Sequence, residues 1–461
     1  MKTFLTMLGV AIFSTMSFGQ QTYQLDSTTL TSRTVRGGLD IPWEITWGPD
    51  NFIWMTERKG LVSRVDPVSG VRGIILDLTG TVYQNSESGL LGLALHPDFS
   101  NSPFVYIVYT YFENSNILER MVRYEYNGSI LQNPSILIDG IQGNTTHIGS
   151  RLHVLPDNTL LMSTGDAQMQ TLPQNVQSLS GKILRFNLDG TVPSDNPIPG
   201  SYVYSWGHRN AQGIWSAPNG NVYIAEHGPN TDDELQLLLK GRNYGWPTVA
   251  GFCDLSNETQ FCADSNVVEP LANWTPTIAP SDIIWYDHPA IPEFNGKLLL
   301  TVLKNKELIA FDFNPAGDQV TKETHYLGQQ LGRLRDICIS PEGKIYLATN
   351  GTSWSNTSPD THTIIELENK AYVPTSSGVV NLSDNNVNVW PNPSLQNGTI
   401  HFDVKGNSKQ ALSIFDSVGK QVYSGEILGS SSLKLGLSSG IYLWKSQSSD
   451  GTRNVGRLII K

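Results

Sequence analysis

The stretch Pro156-Asp157-Asn158-Thr159-Leu160-Leu161-Met162 sets a proline turn directly before a short apolar run, the signature of a turn followed by a buried strand. A Pro-Asp, Pro-Asn or Pro-Glu pair also begins at Pro49, Pro97, Pro218, Pro292 and Pro341. The runs that follow these are Phe52-Ile53-Trp54-Met55, Val105-Tyr106-Ile107-Val108, Val222-Tyr223-Ile224, Leu298-Leu299-Leu300 and Ile345-Tyr346-Leu347. Successive turns lie 48, 59, 62, 74 and 49 residues apart, room for a four-stranded sheet in each unit with loops of differing length. Six similar units between residues 36 and 369 predict an all-β fold, a six-bladed β-propeller.

In a propeller, equivalent positions of all units converge at one end of a central channel. The polar residues that close the apolar runs are therefore candidates for a shared site: Glu57 and Arg58, Asp166, Glu226 and His227, Lys304, and Thr349 and Asn350. The simpler alternative is that they satisfy strand ends.

The rest of the chain divides around this repeat. Phe4 to Phe18 is apolar, follows Lys2 and ends in Ser17-Phe18-Gly19, which reads as a signal peptide over residues 1–19. A membrane anchor is the alternative, but the run is short of the about 20 residues that a span needs. Lys370 to Asn386 is rich in Ser, Asn and Val and reads as a linker. From 387 to 461, alternating runs such as Thr399-Ile400-His401-Phe402-Asp403-Val404 predict a small β-sandwich.

With 461 residues, the chain has length for more than one domain. Its 42 acidic and 31 basic residues give a net charge of -11, which excludes a nucleic-acid coat or a polybasic membrane binder. Any anionic ligand must therefore meet a local cluster of Arg and Lys. Of three cysteines, Cys253 and Cys262 flank a short polar loop and are expected to pair in an exported chain, with Cys338 a buried thiol.

The tail resembles the C-terminal sorting domain of the type IX secretion system of Bacteroidetes. The resemblance rests on Pro391-Asn392-Pro393, Ile414-Phe415-Asp416-Ser417-Val418-Gly419-Lys420, Ser439-Gly440-Ile441-Tyr442 and the basic terminal strand. It implies the secretion machinery as a partner and a secreted or cell-surface protein. A carbohydrate-binding sandwich is the alternative for this domain.

Five segments of the repeat are dense in glycine and polar residues. They are Glu87-Ser88-Gly89-Leu90-Leu91-Gly92; His147-Ile148-Gly149-Ser150-Arg151-Leu152 followed by Gly165-Asp166; Gly207-His208-Arg209-Asn210-Ala211-Gln212-Gly213; Glu226-His227-Gly228-Pro229 continuing to Asn243-Tyr244-Gly245-Trp246-Pro247; and Gly332-Arg333-Leu334-Arg335-Asp336. In this order they resemble the soluble quinoprotein sugar dehydrogenases, the glucose/sorbosone dehydrogenase family, from about Val35 to Glu368. That resemblance implies a six-bladed propeller, pyrroloquinoline quinone (PQQ) and Ca2+ as cofactors, a sugar substrate and an external electron acceptor.

PQQ is a tricarboxylate, and bidentate Arg suits carboxylates. Arg333 and Arg335 alternate along one strand and are expected to share a face. With Lys304, Thr277, Arg209 and Asn210 they match the family's quinone-binding positions. Glu87 and His227 also fall at cofactor positions, each where the family's glucose-specific members carry Gln; Glu87, as an extra negative charge, would need a partner such as Arg58. The family's quinone-bound calcium takes main-chain carbonyls that correspond to Gly228 and Pro229, and a second calcium site is matched by Glu234, Tyr244, Ala250 and Asp254. His147 matches the general base, Asp166 is suited to orient it, and Arg209 to stabilise negative charge on the reduced quinone. The resemblance implies oxidation of an aldose to its lactone. A calcium-dependent lactonase-type propeller and a non-catalytic propeller binding module are the alternatives.

Overall fold

The computed structural model describes residues 21–351, 362–373, 387–404, 409–416, 420–448 and 453–461, in two compact units, Met1–Val373 and Pro374–Lys461. The expected signal peptide, residues 374–386 of the expected linker and Ser417-Val418-Gly419 of the tail lie outside the described residues.

The described residues of the first unit form six antiparallel sheets. Their first strands are Pro42–Trp47, Leu90–Leu95, Gly149–Val154, Ala211–Ser216, Pro280–Tyr286 and Leu334–Ile339. These six pack on one another in that order, and the last returns to the first. The proline turns mark a different position: the runs they introduce lie in Ile53–Glu57, Phe104–Glu113, Thr159–Thr164, Val222–Glu226, Lys297–Val302 and Ile345–Thr349, the second strand of each sheet. Such strands read as continuous apolar runs because both faces of their sheets are covered. Six buried apolar clusters lie between consecutive sheets, and the one around Ile45, Met55, Tyr346 and Ile364 joins the sixth sheet to the first.

The ring closes with strands that precede the expected start at residue 36. Thr29–Arg36 pairs with Ile364–Glu368, and Gln21–Gln24 pairs with Thr29–Arg36. Glu293, which follows Pro292 in a repeat turn, clamps this segment. Its carboxylate accepts hydrogen bonds from the amides of Ser27 and Thr28, at 2.7 and 2.8 Å, and from both hydroxyls.

Cys253 and Cys262 form a disulfide, and Cys338 is a buried free thiol. The segment between the paired cysteines is largely helical rather than a loop, since Ser256–Ser265 is an α-helix. In the second unit, a three-stranded and a four-stranded sheet bury alternate residues, among them Phe402, Ile414, Trp444 and Leu458, in one cluster. The Asn392 side chain accepts a bond from the Ile459 amide, 2.9 Å, which ties the Pro-Asn-Pro opening to the terminal strand.

Candidate active site

Every first strand of the ring has a register shift near its start: between Pro42 and Glu44, Leu90 and Leu93, Gly149 and Leu152, Ala211 and Gly213, Pro280 and Ile283, and Leu334 and Asp336. A bulge leaves a residue out of the ladder and re-aims its side chain. The bulged residues meet at the centre of the ring. Arg335 donates to Gln212 Oε1 at 3.0 Å and to Ser281 Oγ at 3.4 Å, and its guanidinium lies 5.8 Å from the Trp43 ring centre. Arg151 also packs on this group, 4.4 Å from the Trp43 ring centre and donating to the Gln212 carbonyl at 2.7 Å.

His147 stands beside this centre in the left-handed region, at φ 56°. Its amide donates to Glu87 Oε2 at 2.8 Å. The ring is held at both nitrogens: Nδ1 lies 2.7 Å from Asp166 Oδ1, and Nε2 lies 3.1 Å from Arg209 Nη2. A side chain at Gly165 would put its Cβ 1.8 Å from the His147 carbonyl oxygen, so this close approach requires glycine. Asp166 is buried and also accepts from the Trp246 indole, 2.8 Å, and the Gln168 amide, 2.7 Å. Burial pushes its carboxyl up, but the bonds and charge of His147, with the indole and the amide, hold it below the usual carboxylate range.

Arg209 and Asn210 are positioned by a carboxylate whose role the sequence did not reveal. Glu226 Oε1 accepts from both their amides, and Oε2 lies 2.9 Å from His208 Nδ1. Arg209 also donates to the His227 carbonyl at 3.1 Å, and burial lowers its guanidinium pKa. Asn210 Oδ1 accepts from the Gly149 amide, 3.1 Å, and Asn210 Nδ2 reaches Glu87 at 3.4 Å. Glu87 is thus tied to His147 and Asn210. Glu87 and Arg58 line one cavity at the centre with Arg335, Gln212 and Asn350, and Arg58 donates to the Ser86 carbonyl.

Arg335 is 6% exposed, and burial, reinforced by Arg333, pushes its guanidinium down to about 9. Lys304 stands in a separate pair, with Nζ donating to Thr277 Oγ1 at 2.8 Å. Asp233 ties the loop after Thr277 to the expected cation site: its carboxylate accepts from the amides of Ile278 (2.6 Å), Ala279 (2.7 Å) and Gly228 (2.8 Å). His227 is half-buried; desolvation lowers its pKa to about 4, and its Nε2 lies 2.7 Å from the Pro280 carbonyl.

Gly228, Pro229, Glu234, Tyr244 and Ala250 line one small cavity beside Arg209 and Trp246. Asp254 is not among its lining residues; it is exposed, between Cys253 and the helix. A Cβ on Gly228 would come within 2.1 Å of the Thr231 carbonyl oxygen and 2.3 Å of that of Asp232. Burial pushes the Glu234 carboxyl up to about 8, and it accepts a bond from the Gly251 amide at 2.7 Å. Among the described residues no three His, Cys, Asp or Glu side chains converge as metal ligands; the carboxylate residues that line this cavity are Glu226, Asp232 and Glu234.

The chain is 30% identical to quinoprotein glucose dehydrogenase B of Acinetobacter calcoaceticus over 426 residues, which cover 73% of this chain and 88% of that one. It is 27% identical to aldose sugar dehydrogenase YliI of Escherichia coli, over 70% of this chain and 91% of the relative. The PQQ-bound aldose sugar dehydrogenase of Streptomyces coelicolor superposes with a TM-score of 0.64 at 30% identity, over 74% of this chain and 99% of that one. Fold and relatives together define a propeller-like oxidoreductase of the sugar dehydrogenase class. Residues 39–355 match the glucose/sorbosone dehydrogenase family, and the chain belongs to it. Residues 388–461 match the secretion-system C-terminal sorting domain, so the protein is exported by type IX secretion to the cell surface or beyond it.

Proposed function

We propose that the protein is an exported quinoprotein that oxidises an aldose at its anomeric carbon to the lactone, with PQQ as hydride acceptor and an external acceptor for the electrons. In this reading the six sheets are the blades of a six-bladed β-propeller within residues 36–369, extended by the strands from Gln21, and residues 387–461 form a sandwich-type sorting domain after a linker at 370–386. The observation that carries it is His147, fixed between Asp166 and Arg209 beside a cavity whose charged lining is two cations, Arg58 and Arg335, and one carboxylate, Glu87.

The residues present fit a trianionic cofactor. Arg58, Arg209 and Arg335 each keep a buried Nε without a hydrogen-bond partner among the described residues, and burial lowers the pKa of all three. Desolvated positive charge of this kind is relieved by a bound carboxylate. Arg209, Asn210, Arg333 and Arg335 would hold PQQ, with Lys304 and Thr277 at its margin and Glu87 and His227 alongside. Calcium would take the Gly228 and Pro229 carbonyls, and a second ion Glu234, Tyr244 and Ala250, with Asp254 the weakest member of that set. When bound, the two supply a hydride-accepting quinone with a polarised carbonyl.

The chain's own residues handle the proton. Asp166 holds a proton on His147 Nδ1 and so leaves Nε2 as the basic nitrogen that takes the proton of the C1 hydroxyl. Arg209 caps that nitrogen in the sugar-free protein and offers positive charge where negative charge develops. As C1 loses its hydride and the hydroxyl its proton, the C1–oxygen double bond of the lactone forms.

The test is reconstitution: PQQ and calcium are added to the purified protein, and dye reduction is followed with a panel of aldoses, with the product identified as lactone or its hydrolysed acid. Retained quinone and sugar-dependent reduction are expected; failure to retain quinone would overturn the proposal.

A further inference from the structure

Lys182 opens the strand Lys182–Asn187 and is fully buried, yet it forms no ion pair among the described residues. Its ammonium donates instead to three main-chain carbonyls, of Ser180 at 2.7 Å, Leu172 at 2.9 Å and Pro173 at 3.0 Å. An ammonium has three N–H donors, so the cage is filled completely. Burial pushes the group down to about 7, because neutral carbonyls do not replace a counter-ion.

The backbone has little need of this charge. The Leu172 carbonyl also accepts from the Asn175 amide at 3.0 Å, and the Pro173 carbonyl from the Gly207 amide at 3.1 Å. Of the three, the Ser180 carbonyl alone has Lys182 as its one partner among the described residues. An apolar side chain of the same length would be cheaper to bury. What the ammonium draws together is therefore informative.

It stands where the two holders of the His147 ring meet. On one side, Lys182 lies opposite Thr164 in the ladder, and its amide donates to Thr164 Oγ1 at 3.1 Å. The neighbouring Gly181 amide donates to the Gly165 carbonyl at 2.7 Å, directly before Asp166. On the other side, the Pro173 carbonyl binds the amide of Gly207, two residues before Arg209. Gln174, next to the cage, donates to the Trp246 carbonyl at 2.7 Å and exchanges bonds with the Asn243 side chain at 3.0 and 2.8 Å. The Trp246 indole in turn holds Asp166.

We propose that Lys182 is a positioning residue for the base. Its ammonium draws the Leu172–Gln174 turn between the segments that carry Asp166 and Arg209. Gln174 passes that placement through Trp246 to Asp166, and so to the His147 imidazole. This rests on the reading of His147 as the base of aldose oxidation.

The experiment uses the full chain and its Lys182→Met and Gln174→Met variants. The first removes the ammonium and keeps an apolar stem; the second leaves the cage intact and cuts the bonds to Trp246 and Asn243. With PQQ and calcium added, kcat is expected to fall about 10- to 100-fold in Lys182→Met, the cost of a displacement of about 1 Å at a positioned group. KM for the sugar and Kd for PQQ are expected to stay within about twofold, since uniform binding is untouched. Gln174→Met should lower kcat in the same way. A second readout needs no turnover: in quinone-free protein with isotope-labelled histidine, the His147 Nδ1 proton signal, identified by its loss in His147→Ala, is expected to shift in both variants. An unchanged His147 signal, or an unchanged kcat in an active enzyme, overturns the proposal. Should Lys182→Met fail to fold, Gln174→Met decides by the same two measurements. If the wild-type protein oxidises no sugar, the reading of His147 as base falls, and the imidazole signal alone decides whether Lys182 places the ring.

Discussion

Asp166 grips His147 from below: one carboxylate oxygen lies 2.7 Å from His147 Nδ1, while the other accepts the Trp246 indole at 2.8 Å. The second bond fixes the plane of the carboxylate, and the carboxylate in turn fixes the plane and tautomer of the imidazole. Trp246 also lies 5.4 Å from the Arg209 guanidinium, so one indole supports both partners of the ring.

This arrangement predicts that Asp166→Asn and His147→Ala each lower kcat by about 10²- to 10⁴-fold, the usual contribution of a positioned base. Bound quinone is expected to remain, since neither side chain belongs to the cationic cavity of Arg335. The double variant should be no slower than His147→Ala, because the two residues act as one unit. Steady-state dye reduction with absorbance of retained cofactor checks all three; additive losses would separate Asp166 from the base.

The contrast between what could be read early and what could not has a physical origin. Runs such as Leu160-Leu161-Met162 are legible because a strand covered on both faces has no polar alternation, and Pro turns punctuate them. They are second strands, however, and the first strands that build the centre are bulged, so Trp43 and Gln212 carry no periodic signal. His147, Asp166, Arg209 and Arg335 were visible through their glycine-rich settings. Glu226 and Asp233, by contrast, act by gathering backbone amides from other segments, which spacing cannot encode. Asp254 had a ligand-like spacing but lies exposed beside a helix that the polar composition of Ser256–Ser265 did not predict.

Arg335→Met should separate cofactor affinity from stability. A charge-assisted hydrogen bond contributes about 1.5–3 kcal/mol, so affinity for PQQ is expected to fall about 10- to 100-fold. The quinone-free protein should melt at an equal or higher temperature, because the variant removes a buried cation that burial and Arg333 already disfavour. Equilibrium dialysis and thermal melts without quinone measure the two effects. A large loss of stability in the quinone-free variant would assign Arg335 to the scaffold instead.

Arg151 offers the converse case. It is 2% exposed and forms ion pairs with Glu44, Asp282 and Asp336, which come from three other sheets. Burial raises the pKa of Glu44 and Asp282 well above the usual range, against the lowering pull of Arg151. Arg151→Met removes that pull and is expected to cost about 3–5 kcal/mol, as for a buried pair broken on one side. The sign of its pH dependence follows from the raised carboxyls: the folded variant binds more protons than the unfolded chain, so its stability falls as pH rises. The deficit relative to wild type should be smallest near about pH 4, where unfolded carboxyls are also largely protonated, and should grow toward about pH 8. Denaturant unfolding at the two pH values measures it. Equal deficits at both would mean that Arg151 stabilises the ring through its packing on Trp43 and not through its charge.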